Sequence, residues 1–226
     1  MGSAAHQALI ERIVRCYETD PRVRAVAVFG SVAAGTWHDL SDVDLDIVVT
    51  DDAAIDPAAE ARAIFGAAAV VVIARAGDCA DVVLDSLAEV SIRWHPLRAT
   101  SPNITASVRV AGGDLPDREI AAAGEANRTA PDEQRLLDTL VREAVGAWKA
   151  VQRERPWDAI VAVERARHAL TALRGRRDGV RPDPADPMGA LAAVVARSAA
   201  SFDLGLGRRA LLERIGLRES PTPRSG

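Results

Sequence analysis

The sequence predicts an α+β protein: an N-terminal mixed sheet flanked by helices, joined to a C-terminal helical domain. Two observations carry this. Before the Gly112-Gly113 pair, short β-branched runs such as Val23–Phe29 and Val43–Val49 alternate with amphipathic segments, whereas beyond Pro116 the apolar spacing is helical. The charge changes at the same point. Residues 1–115 hold nine Lys and Arg against sixteen Asp and Glu, and residues 116–226 hold nineteen against sixteen. The expected domains are therefore 1–115 and 116–226.

The elements follow in order. Leu9, Ile10, Ile13, Val14 and Tyr17 form one face of a helix over Ala5–Tyr17. Val23–Phe29 and Val43–Val49 read as strands, separated by a small loop punctuated by glycine. Asp56-Pro57 is a helix start, an N-cap followed by proline at the first helical position, and Gly66 is the stop. Strands are expected at Ala68–Ala74, Val82–Leu84, Glu89–His95 and Ser107–Val110. In the second half, Leu136, Leu137, Leu140, Val141, Val145 and Trp148 share one helical stripe. A second stripe runs after Pro156 through Ile160, Val163, Leu170 and Leu173 to Gly175. Arg181–Pro187, with three prolines in seven residues, reads as a linker. Short helices are expected at Leu191–Ala199 and Arg208–Ile215, followed by a frayed tail over Glu219–Gly226.

Composition narrows the function. The chain has 226 residues, 48% hydrophobic and 27% charged, the balance of a globular protein. Its longest apolar run, Ile64–Ala74, falls far short of the ~20 residues that span a bilayer, so no membrane association is expected and the protein reads as cytoplasmic. Two cysteines and four histidines leave little for a disulfide framework or a thiolate or imidazole metal centre. A metal, if used, should be held by carboxylates.

The chemistry is concentrated in Gly30-Ser31 and in Ser41-Asp42-Val43-Asp44-Leu45-Asp46. Strand alternation puts Asp42, Asp44 and Asp46 on one face, about 6 to 7 Å apart, and Val43, Leu45 and Ile47 on the other. Carboxylates so placed repel one another unless a cation lies between them, and magnesium suits the spacing because it accepts one or two carboxylates and completes its shell with water and phosphate. Gly30 lets the backbone approach a phosphate, and the Ser31 hydroxyl can donate to its oxygens. Ile47 and Ala53 argue against a calcium loop starting at Asp42, because they stand where such a loop has glycine and glutamate.

Gly30-Ser31, ten intervening residues and Asp42-Val43-Asp44 together resemble the signature of the nucleotidyltransferase superfamily that includes DNA polymerase beta. Ser41 before the first aspartate is similar to the smaller members, while Val32 and Ala34 stand where many relatives carry arginine. The resemblance implies Asp42 and Asp44 as magnesium ligands. It also implies a third carboxylate from a neighbouring strand, for which Glu89 is the choice, as ligand or general base, with Asp46 and Asp85 as competitors. Gly30, Ser31, Ser41 and Lys149, the single lysine of the chain, are the expected contacts of the nucleotide triphosphate. His95 is a further candidate base or substrate contact, while the arginines at 174, 176 and 177 are read as structural.

The implied activity is magnesium-dependent transfer of AMP from ATP to a hydroxyl of a small molecule, with release of pyrophosphate. In length and domain order the chain is similar to aminoglycoside and lincosamide nucleotidyltransferases. Two alternatives stay open: a protein or tRNA acceptor, and a non-catalytic module that only binds a nucleotide.

Overall fold

The computed structural model describes residues 2–76, 78–99, 109–113, 132–175, 183 and 185–217. The chain divides into two compact units, Met1–Thr129 and Ala130–Gly226. The expected domain boundary between Leu115 and Pro116, Arg176 and Arg177, part of the expected linker and the C-terminal tail lie outside the described residues.

In the first unit, α1 (Ala4–Tyr17) opens with a reciprocal cap: the Ser3 hydroxyl accepts from the His6 amide and the His6 ring accepts from the Ser3 amide. Strand β1 (Val23–Phe29) follows, then α2 (Gly30–Ala34), β2 (Val43–Val49) and α3 (Pro57–Phe65). The start of α3 is the one expected, with the Asp56 carboxylate accepting from the amides of Ala58 and Ala59. Strands β3 (Val70–Ala76), β4 (Cys79–Leu84), β5 (Glu89–Pro96) and β6 (Arg109–Gly113) complete the unit. The segment read as a loop after β1 thus begins with a single helical turn, closed by Gly35 in the left-handed region.

Six strands form one mixed sheet in the order β3-β4-β5-β2-β1-β6, with β2 and β5 parallel and every other pairing antiparallel. The alternation of β2 decides what each face does. Val43, Leu45 and Ile47 are fully buried, in one core with Val90, Ile92 and Trp94 of β5 and with residues of α1 and α3. At about 25 cal/mol per Å² of apolar surface, such side chains contribute about 1.5 to 3 kcal/mol each. That burial fixes the register, so Asp44 and Asp46 must emerge on the opposite face.

The second unit consists of α4 (Glu133–Gln152), α5 (Pro156–Arg174), α6 (Pro187–Ala199) and α7 (Gly205–Arg214). α4 packs along α5, and α6 packs against both. Arg208 of α7 is tied to Asp138 of α4, with Nη2 at 2.6 Å and Nε at 2.8 Å. α6 starts four residues earlier than expected. Pro187, counted as linker, is its first residue, and the Asp186 carboxylate caps it by accepting from the Gly189 amide. No described helix is long and apolar enough to cross a membrane.

Candidate active site

The site grows from the end of β1. Gly30 has φ +66°, and a Cβ built there would overlap Oδ2 of Asp44. The glycine therefore serves two needs at once: the left-handed backbone, and clearance for a carboxylate from the adjacent strand. Ser31 heads the helical turn, and its carbonyl accepts from the Thr36 amide at 3.0 Å. The chain then returns through a loop pinned just before Asp42. Ser41 is buried, its hydroxyl accepts from the His38 amide at 3.1 Å, and its carbonyl lies 3.1 Å from Nε2 of His6. Because Nδ1 of His6 accepts from the Ser3 amide, Nε2 carries the proton that donates to Ser41. Ser41 thus closes the loop that delivers Asp42.

Register assembles the rest of the face as two rows. Phe29 of β1, Asp44 of β2, Ser91 of β5 and Asp81 of β4 stand side by side across four strands. Ala27, Asp46, Arg93 and Cys79 form the next row. In the first row Ser91 Oγ donates to Asp81 Oδ1 at 2.6 Å. In the second, Arg93 grips both oxygens of Asp46, at 2.7 and 2.9 Å, and His95 Nε2 lies 3.1 Å from Asp46 Oδ1.

Asp44 is where the charges converge. Burial first, then the neighbouring Asp42 charge, pushes its carboxyl up to about 7; Arg93 opposes the rise, and Asp81 and Glu89 add to it. Of the carboxylates considered for the third position, Glu89 is 8% exposed at the start of β5 and acts on Asp44. Asp85 is exposed in the turn after β4, and Asp46 is bound to Arg93 and His95. His95 accordingly has an internal partner. Lys149 lies in the second unit, on α4, and is 6% exposed. Burial also pushes the Cys79 thiol up to about 12, so it is no nucleophile at neutral pH.

Two residues of this face were missed as candidates in the sequence. Asp81 stands one residue before the expected strand Val82–Leu84, and Arg93 lies within the expected strand Glu89–His95. The available signal for Asp81 was its alternation with the buried Ala80 and Val82.

Among the described residues no group of three His, Cys, Asp or Glu side chains is disposed to hold a metal by itself. The donors fit a different kind of site. Asp42 and Asp44 are crowded and oxygen-only, which suits a hard divalent cation shared between protein carboxylates and substrate phosphate.

Residues 11–68 match the family described as Polymerase beta, Nucleotidyltransferase. That segment runs from α1 through α3 and contains Gly30, Ser31, Asp42 and Asp44. The match thus makes this segment of the first unit similar to polymerase beta-like nucleotidyltransferases. A comparison with curated proteins finds no match. Among solved structures, an aminoglycoside 6-adenyltransferase from Bacillus subtilis is 11% identical over 98% of this chain and 94% of its own, with a TM-score of 0.35. The CdnE cyclic dinucleotide synthase of Elizabethkingia meningoseptica, solved with GTP and Apcpp, is 14% identical over 92% of this chain and 75% of its own, with a TM-score of 0.29. A nucleotidyltransferase-like protein from Exiguobacterium sibiricum is 15% identical over 95% and 72%, with a TM-score of 0.24. Likenesses of this depth decide nothing about substrate.

Proposed function

We propose that the protein transfers AMP from ATP to a hydroxyl of a small, cationic acceptor and releases pyrophosphate. The observation that carries this reading is Asp44, a half-buried carboxyl that feels the charge of Asp42 and is set beside the Gly30 turn. Such a group is costly to keep unless it meets a cation. Asp42 and Asp44 would hold magnesium, which when bound aligns the triphosphate and offsets the charge developing on it.

The chain's own groups do the remainder. Gly30 and Ser31 offer backbone amides and a hydroxyl to phosphate oxygens. The acceptor oxygen forms a bond to the α-phosphorus, the bond from that phosphorus to the bridging oxygen breaks, and pyrophosphate leaves with the electron pair. The hydroxyl proton passes to a carboxylate of the same face, for which Glu89 is the assignment. The acidic excess of residues 1–115, sixteen against nine, favours a cationic acceptor by raising its local concentration.

The test is incubation with magnesium and each of the four nucleoside triphosphates against aminoglycosides, lincosamides and tRNA, with pyrophosphate release as the readout. Release with ATP and a small acceptor supports the proposal. Release only with tRNA or a protein moves the assignment to a macromolecular acceptor, and tight ATP binding with no release under any condition favours a binding module.

A further inference from the structure

The turn Gly30-Ser31-Val32-Ala33-Ala34-Gly35 supplies amides and one hydroxyl but no cation, and the face around it carries Asp42, Asp44, Asp46, Asp81 and Glu89. A triphosphate adds further negative charge to that surface. One described cation stands in the right place. Arg93 leaves β5 and lays its guanidinium 4.2 Å from the centre of the Phe29 ring on β1. Since β2 lies between those strands, the side chain crosses over the strand that carries Asp44 and Asp46. Phe29 is the residue immediately before Gly30, so the charge is held at the mouth of the turn.

Its hold is specific. Nε and Nη2 are occupied by the two oxygens of Asp46, the ring of Phe29 supports the guanidinium plane, and Nη1 makes no hydrogen bond to any described residue. The side chain is 35% exposed, enough to meet a ligand without rearrangement.

We infer that Arg93, pre-oriented by Asp46 and Phe29, binds the phosphate chain of the nucleoside triphosphate through Nη1 and steadies the departing pyrophosphate. This rests on the nucleotidyl-transfer reading above and adds a residue to it. Arginine suits the role because its rigid fork can satisfy Asp46 and still present a donor, which a lysine ammonium does less well.

The experiment compares wild type, Arg93→Met and Arg93→Lys in two assays. Steady-state kinetics give KM for ATP and for the acceptor separately. Calorimetry measures binding of magnesium pyrophosphate with no acceptor present, and thermal melts confirm folding. Loss of one charge-assisted contact predicts about a tenfold or greater rise in the ATP KM and the pyrophosphate Kd of Arg93→Met. Arg93→Lys should recover part of both, and the acceptor KM should not move. A role confined to holding the fold would lower the melting temperature without this partial rescue by charge.

Folded Arg93→Met or Arg93→Lys protein that binds pyrophosphate and uses ATP as wild type does would overturn the inference. If wild type turns over no triphosphate yet binds pyrophosphate in an Arg93-dependent way, the inference stands and the transferase reading falls. If wild type does neither, both fall.

Discussion

Gly30 is the residue on which backbone and chemistry meet. Its positive φ and the nearness of Asp44 Oδ2 mean that a single methyl must either move the aspartate or distort the turn. Gly30→Ala is therefore expected to cost about 1 to 3 kcal/mol of stability and, because the carboxylate is displaced, about 10²-fold in kcat/KM. Urea denaturation together with pyrophosphate release checks both halves, and a folded variant with full activity would show that Asp44 needs no such clearance. At this scale the sequence was legible wherever one residue's chemistry sufficed. The candidates Gly30, Ser31, Asp42 and Asp44 could be proposed from type and spacing alone. Asp81 and Arg93 could not, because their importance comes from the pairing of β4 with β5 and of β5 with β2, which no local pattern encodes.

Between elements, the first unit is fastened by buried hydrogen bonds as well as apolar packing. Trp94 of β5 donates its indole N–H to the Tyr17 hydroxyl of α1 at 2.9 Å, and that hydroxyl donates to Glu60 of α3 at 3.0 Å. Tyr17→Phe removes the acceptor of an indole N–H that is 1% exposed, at a cost of about 1 to 3 kcal/mol. The site is untouched, so activity per folded molecule should be unchanged in the same denaturation and activity assays.

The turn from α1 into β1 has a pH signature of its own. Hydrogen bonds from the Arg22 side chain hold the Asp20 carboxyl below its ordinary value of 3.8. A depressed carboxyl favours the folded state above its unfolded value, and that contribution disappears as the pH falls through the folded one. Asp20→Asn should thus be less stable than wild type at pH 7, with the difference closing as the pH drops below 3.8. A difference that stays constant in urea titrations across that range would mean the pair contributes nothing through charge.

The elements also show why some boundaries were misread. Asp56-Pro57 and Asp186-Pro187 carry the same start signal, yet only the first was read as a helix, because the second is preceded by further prolines and looked like linker. The turn α2 has no capping side chain and only five residues, so nothing in the sequence separated it from a loop.

Across the whole molecule, the modest net charge of −4 conceals an acidic first half and a basic second one. If that acidic surface gathers a cationic acceptor, raising salt from about 0.05 to 0.5 M should raise the KM for a polycationic acceptor, because the Debye length shrinks to a few ångströms. The KM for an uncharged hydroxyl acceptor should change little, and equal salt effects on both would remove the electrostatic argument for acceptor choice.

The central claim is that Asp42 and Asp44 serve nucleotidyl transfer. It is tested most directly by following label from [α-³²P]ATP onto an acceptor in the presence of magnesium, for wild type and for Asp44→Asn. The account predicts labelled acceptor and pyrophosphate from wild type. Asp44→Asn, folded and no less heat-stable because a half-buried carboxylate crowded by like charges has been removed, should have lost that transfer. Undiminished transfer by folded Asp44→Asn would contradict it.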